Sequence, residues 1–303
     1  MDKLDGGGDA VCEHARVPRQ MWKAPLIGMR DRRHGPGRER VPEPMVMDDP
    51  ESVAQFHAGG ASSPGMQAVY DFSARSLDAL LPEGARLLDL GVGSGRALAH
   101  IARLRPDLEA TAVDLAPNML ATARGLFEAE GLDSRIELVE ADIAALPDPV
   151  VDAPWDGISC VWTLHQLPDF EVLRGALRQI AAVRERTGAA VWIFDFQRLR
   201  DSGSFPALLD VLDPSMKPVL RGDAIASEAA AFTHDELSSE LGAAGLGDLR
   251  AAHARPIPWC QAFWASRADG RPGGSANVRP NRLPRRARGD AAMLRSGFSA
   301  KPF

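Results

Sequence analysis

The chain is short of the residues that make covalent cross-links and metal sites. It has three cysteines, Cys12, Cys160 and Cys260, an odd number with no C-x-x-C pair. That suggests neither a disulfide framework nor a zinc site, and no metal is expected. No run approaches the roughly 20 apolar residues of a membrane-spanning helix, so no membrane partner is expected. The first eight residues lack the apolar core of an export signal, which makes a cytoplasmic protein the expectation. Tyrosine occurs once, at Tyr70. Positive charge is scarce in the middle of the chain, where residues 46–266 hold 17 basic and 32 acidic side chains, a net of −15. Such a body repels a phosphate backbone, and nucleic acid is not an expected partner.

The positive charge lies at the ends. Residues 1–45 hold nine basic and seven acidic side chains, and residues 267–303 hold nine and two, a net of +7. Both ends mix Gly, Pro and Arg without a hydrophobic period. This predicts disordered tails at 1–45 and 267–303 around one domain at 46–266.

That domain is organised around residues 86–96. A short apolar run containing Asp89 ends in three glycines at alternate positions, Gly91, Gly93 and Gly95, and helix-forming sequence follows at once. Glycine here reaches backbone angles closed to other residues and keeps no side chain between a ligand and the main chain. A dinucleotide turn, G-x-G-x-x-G, needs a third glycine where Arg96 stands, so that match fails. The pattern present is D-x-G-x-G-x-G.

Two further strand-like runs also end in acids, 109–115 with Asp114 and 135–142 with Asp142. A carboxylate at the end of the second strand is placed to accept hydrogen bonds from a ribose diol. Residues 155–165 read as a fourth strand with the loop beyond it, and 189–196 as a fifth, apolar on both faces like a central parallel strand. Helices are predicted at 64–81, 116–130 and 168–186, the last from the stripe Val172, Leu173, Ala176, Leu177, Ile180 and Val183. Thr233 and Glu236 form a capping box that opens another helix, and strands at 249–257 and 259–266 follow.

In this order the segments resemble the class I S-adenosylmethionine (SAM)-dependent methyltransferases over roughly residues 46–265. The resemblance implies an α/β fold, a doubly wound and mostly parallel seven-stranded sheet with a C-terminal antiparallel hairpin. It implies SAM as cofactor, with the turn of Gly91, Gly93 and Gly95 facing the methionine part. Asp89 would support that turn and, through water, the ammonium group. Asp114 would hold the ribose hydroxyls, and Asp142 with the Ile143 amide would read the adenine. Leu115, Met119 and Trp162 complete the cofactor site by the same resemblance.

The reaction implied is in-line transfer of a methyl group from SAM to a small-molecule acceptor. Tyr70, Thr163 and His165 are the expected acceptor contacts. His165 is either a general base or a residue that orders its loop. The loop after the fourth strand lacks the N/D-P-P-Y sequence of many amino-methylating DNA and protein enzymes, which fits a small-molecule enzyme better. Residues 197–231 exceed a minimal fold and are expected to form an ordered cap. An NAD-type oxidoreductase on the same architecture and a SAM-binding regulatory protein without turnover are the alternatives. The acceptor, the attacked atom and the oligomeric state stay open.

Overall fold

Residues 21–35, 37–43 and 48–303 are described by the computed structural model. Most of the expected N-terminal tail, Cys12 and the expected boundary at residue 46 lie outside them. Alternation of apolar runs with amphipathic segments produces one sheet with helices on both faces. The strands are β1 (Arg86–Leu90), β2 (Glu109–Asp114), β3 (Ile136–Glu140), β4 (Gly157–Val161), β5 (Ala190–Phe196), β6 (Arg250–His253) and β7 (Cys260–Ala265). Their order is β3-β2-β1-β4-β5-β7-β6. The first five run parallel, while β7 is antiparallel to β5 and β6 to β7. This is the expected seven-stranded sheet with its closing hairpin. The order turns back on itself at β1, whose neighbours are β2 and β4, and ligands of such sheets bind beyond the strand ends there.

Among the described residues three α-helices precede the sheet: α1 (Ala24–Arg33), α2 (Pro50–Ser62) and α3 (Pro64–Leu80). The crossovers carry α4 (Arg96–Leu104), α5 (Pro117–Glu130), α6 (Asp148–Asp152) and α7 (Phe170–Thr187). After β5 come α8 (Ser204–Leu212), α9 (Pro218–Ala230) and α10 (His234–Ala243), and after the hairpin α11 (Arg285–Gly297). The ends of these helices follow local chemistry. The Asp169 carboxylate accepts from the Glu171 and Val172 amides to start α7, and left-handed Gly188 stops it. The Thr233–Glu236 capping box opens α10.

Side-chain alternation along β5 divides the core. Trp192 and Phe194 pack with Phe72, Leu98, Ile101 and Phe127 on one face, while Val191 and Ile193 pack with Leu173, Leu177 and Ile180 on the other. Among the described residues no helix is long and apolar enough to cross a membrane.

Residues 267–303 and the described part of 1–45 differ from the expected tails. Residues 267–303 are ordered against the domain: Leu283, Ala287 and Ala291 bury against Ala68 of α3, and Phe298 enters the core beside Phe72 at a ring separation of 4.9 Å. At the other end α1 packs on α8, with Asp31 accepting from the Asp201 amide at 2.9 Å. The physical reason is the same at both ends. Each helix docks through small residues, Ala24 and Gly28 in α1 and Ala287 and Ala291 in α11, which give little hydrophobic signal among the surrounding arginines. The 197–231 segment holds α8 and α9. α2 was not expected.

Candidate functional site

At the end of β1 the three glycines hold positive φ: 75° at Gly91, 53° at Gly93 and 82° at Gly95. A Cβ at Gly91 would stand 2.1 Å from Thr163 Cγ2, so this turn and the loop after β4 meet without space for a side chain. A Cβ at Gly93 would meet nothing within 4 Å, which leaves this part of the turn facing open space. The Gly91 and Val92 amides donate to the Val113 carbonyl at 2.8 and 3.0 Å, tying the turn to β2.

Asp114 closes the same corner. Its Oδ2 accepts from the Gly93 amide at 2.7 Å and its Oδ1 from the Ala116 amide at 2.9 Å. Each carboxylate oxygen keeps a further lone pair. Burial raises the Asp114 pKa, against the opposing pull of these backbone hydrogen bonds. Asp89 is buried below the turn and accepts from Ser159 Oγ. Burial lifts its pKa to about 6, with the Ser159 bond opposing and the Asp114 charge adding. Asp142 accepts from the Ala144 amide at 2.8 Å through Oδ1, beside buried Ile143. Leu115 is exposed, and Met119 is buried with Val53 of α2 and Ala116.

The loop after β4 is strained and tightly held. Trp162 has φ 55°, an uncommon conformation for a bulky residue and a mark of a constrained site. Its ring stacks on Phe196, centroids 5.4 Å apart and planes 10° from parallel. Buried His165 bonds Asp195 of β5 twice. Its amide donates to Oδ2 at 3.0 Å and its Nδ1 lies 2.6 Å from Oδ1. A carboxylate only accepts, so Nδ1 carries the proton and Nε2 keeps a lone pair. Burial acts to lower the His165 pKa, but the charge and hydrogen bond of Asp195, helped by Glu43, outweigh it and raise it above 6.5. Arg40, from the segment before α2, donates to the His165 and Pro168 carbonyls at 2.8 and 2.7 Å and also reaches the Leu167 carbonyl.

Trp162 and His165 lie on the wall of a cavity of about 570 Å³. Phe196, Phe205 and Trp259 supply aromatic wall, Leu208, Leu209 and Leu212 of α8 the roof, and Glu43, Asp223 and Asp290 acidic points. Ser227 of α9 donates to Glu43 at 3.1 Å, and desolvation raises the Glu43 pKa against the charge of His165.

The structure therefore brings Trp162 and His165 to this cavity. It keeps Gly91, Gly93, Gly95, Asp89, Asp114, Leu115, Met119, Asp142 and Ile143 off its lining, around the ends of β1 to β3. Two of the expected acceptor contacts do not line it. Tyr70 is buried in α3 between His100 and Trp162, ring centroids 5.4 and 6.0 Å away. Thr163 turns its hydroxyl to the Leu90 and Gly91 carbonyls at 3.3 and 3.2 Å. Sequence reasoning missed Asp195, Glu43 and Arg40. Asp195 had left a signal, as the one charged residue in the apolar run of β5.

Comparison with known proteins agrees with this architecture. Residues 87–188 match a family model described as a methyltransferase domain. A demethylmenaquinone methyltransferase of Thermus thermophilus is 35% identical over 109 residues, covering 36% of this chain and 48% of the relative. A ubiquinone biosynthesis O-methyltransferase of Xylella fastidiosa is 40% identical over 88 residues, covering 28% and 33%. The chain thus spans about half the length of the first relative and a third of the second. A SAM-dependent methyltransferase from Aquifex aeolicus shares the fold with a TM-score of 0.50 at 18% identity, over 72% of this chain and 97% of that one. The mitomycin 7-O-methyltransferase does so with 0.51 at 20% identity, over 73% and 59%. Residues 87–188 thus match a methyltransferase domain, and the chain shares the fold of solved SAM-dependent methyltransferases.

Proposed function

We propose that the protein is a cytoplasmic SAM-dependent methyltransferase that methylates a hydroxyl of a small, largely aromatic or apolar acceptor. The observation that carries this reading is His165, backed by buried Asp195, on the wall of an aromatic cavity one loop away from the glycine turn. Thr163 packs on Gly91 between Trp162 and His165, so a single loop joins the turn to the cavity.

The residues at the ends of β1 to β3 fit SAM. The open side of Gly93 leaves room for the methionine part, and Asp114 keeps lone pairs for the ribose hydroxyls. Asp142 and the Ile143 amide stand at the end of β3 for the adenine. SAM supplies an activated methyl group, so the protein's share is alignment, exclusion of water and proton removal. His165 Nε2 accepts the acceptor's hydroxyl proton, and Asp195 orients the ring and stabilises the cation that forms. Trp162, Phe196 and Trp259 hold the acceptor's apolar body, and α8 and α9 shield it from water.

Thermal denaturation tests the cofactor. SAM or its demethylated product, at about 100 times its dissociation constant, should stabilise the fold by roughly 2.7 kcal/mol, and NAD should leave the melting temperature unchanged. A shift with NAD and none with SAM would overturn the reading. Calorimetry tests the site. Asp114→Ala removes charge-assisted hydrogen bonds of roughly 1.5–3 kcal/mol, so SAM affinity should fall about 10- to 100-fold. Unchanged affinity would remove Asp114 from the site.

A further inference from the structure

A second cavity, of about 390 Å³, lies away from the first, between α4, the end of α5 and residues 281–284. Arg96, His100 and Arg103 reach it from α4, Glu130 from α5, and Asn281 and Arg282 from the C-terminal segment. Three guanidiniums thus face a single carboxylate, within a domain whose overall charge is strongly negative.

The polar atoms here are only partly matched. Both Glu130 oxygens are taken by Arg103 Nη1 at 2.9 Å. Arg96 donates through Nε to the His57 carbonyl and through Nη2 to His57 Nε2, both at 2.7 Å. Asn281 donates to the His100 carbonyl at 2.9 Å. Arg103 Nε and His100 Nδ1 remain, buried and without a hydrogen-bond partner. Arg103 Nε can only donate, and a buried donor without an acceptor is costly. Arg282 is exposed and joins no ion pair among the described residues. Burial, helped by the charges of Arg103 and Arg96, lowers the His100 pKa to about 3.

Several guanidinium donors around one space match the oxygens of a phosphate group, which accepts in forked geometry. The volume suits a small metabolite rather than a lone ion. We propose that this cavity binds the phosphate group of a small phosphorylated metabolite, separately from the acceptor cavity. The inference does not depend on the methyl-transfer reading. It gives a role to the basic C-terminal segment, which supplies Arg282 to the wall.

Titration calorimetry of the full chain tests it, with inorganic phosphate, pyrophosphate and citrate as probes. Phosphate and pyrophosphate should saturate one site per chain, with affinity falling as salt rises. Arg282→Gln and Arg103→Gln should each weaken binding about tenfold or more. Arg282→Gln removes no bond of the fold, so its effect is separable from misfolding. Bound phosphate should also raise the His100 pKa in an NMR titration, a change that merely structural arginines would not produce. The proposal is overturned by the absence of saturable phosphate binding, by binding of citrate alone, or by unchanged affinity in both variants.

Discussion

His165→Ala lowers turnover by about 10²–10⁴-fold and leaves SAM affinity near that of the parent protein. The ring meets the cavity, while the acids expected to hold the cofactor sit at the ends of other strands. A base must be neutral to accept a proton, and His165 has its pKa raised by Asp195 over the opposing effect of burial. The rate should therefore fall with decreasing pH through a pKa above the ordinary value of about 6.5. Asp195→Asn sharpens the test. Loss of the anion removes the raising influence, so the acid limb should move to lower pH while the maximal rate drops. If the pair only orders the loop, His165→Asn keeps a near-parental rate at all pH values, because an amide replaces the hydrogen bond but not the proton transfer. That profile would remove His165 from the chemistry.

The parts of the fold legible in the sequence are those built on strong periodicity. β1, β2, β4 and β5 appear as apolar runs because an inner parallel strand is buried on both faces, while the edge strand β3 is partly exposed, and β1, β2 and β3 finish at or just before Asp89-Leu90, Asp114 and Glu140-Ala141-Asp142. The glycine turn was legible because only glycine fits φ 75° against Thr163. The cavity beside Trp162 and His165 was not. Its walls come from α1, α2, α8, α9 and α11 and from the loop around Trp259, segments far apart in sequence with no spacing in common. Thr163 and Tyr70 were picked by their position near the site, but a sequence position does not set a side chain's direction. Thr163 faces the β1 turn and Tyr70 lies inside α3. Asp195 could have been found, because a charge in an otherwise apolar central strand requires a partner, and His165 is that partner.

Ending the chain at residue 266 should strongly destabilise it, although composition marks the removed segment as a tail. The cut deletes α11, whose Ala287 and Ala291 seat on Ala68, and uncovers Phe72 and Phe194, both packed against Phe298. Leu294 and Phe298 are 8% and 7% exposed. Burying two such side chains contributes roughly 3–6 kcal/mol, at about 1.5–3 kcal/mol each. That is a large part of the roughly 5–15 kcal/mol that separates folded from unfolded domains. The segment also adds strand-like contacts at the sheet's edge, where the Arg255 amide donates to the Gly297 carbonyl at 2.8 Å. Chemical denaturation should show the shortened chain losing most of its stability or failing to fold. Phe298→Ala isolates the packing: it should cost about 3–5 kcal/mol, because the ring's neighbours cannot close the space. If the shortened chain unfolds at the denaturant midpoint of the full chain and Phe298→Ala is neutral, α11 is no part of the domain core. Proteolysis would then remove residues 267–303 first, as it does an unpacked tail.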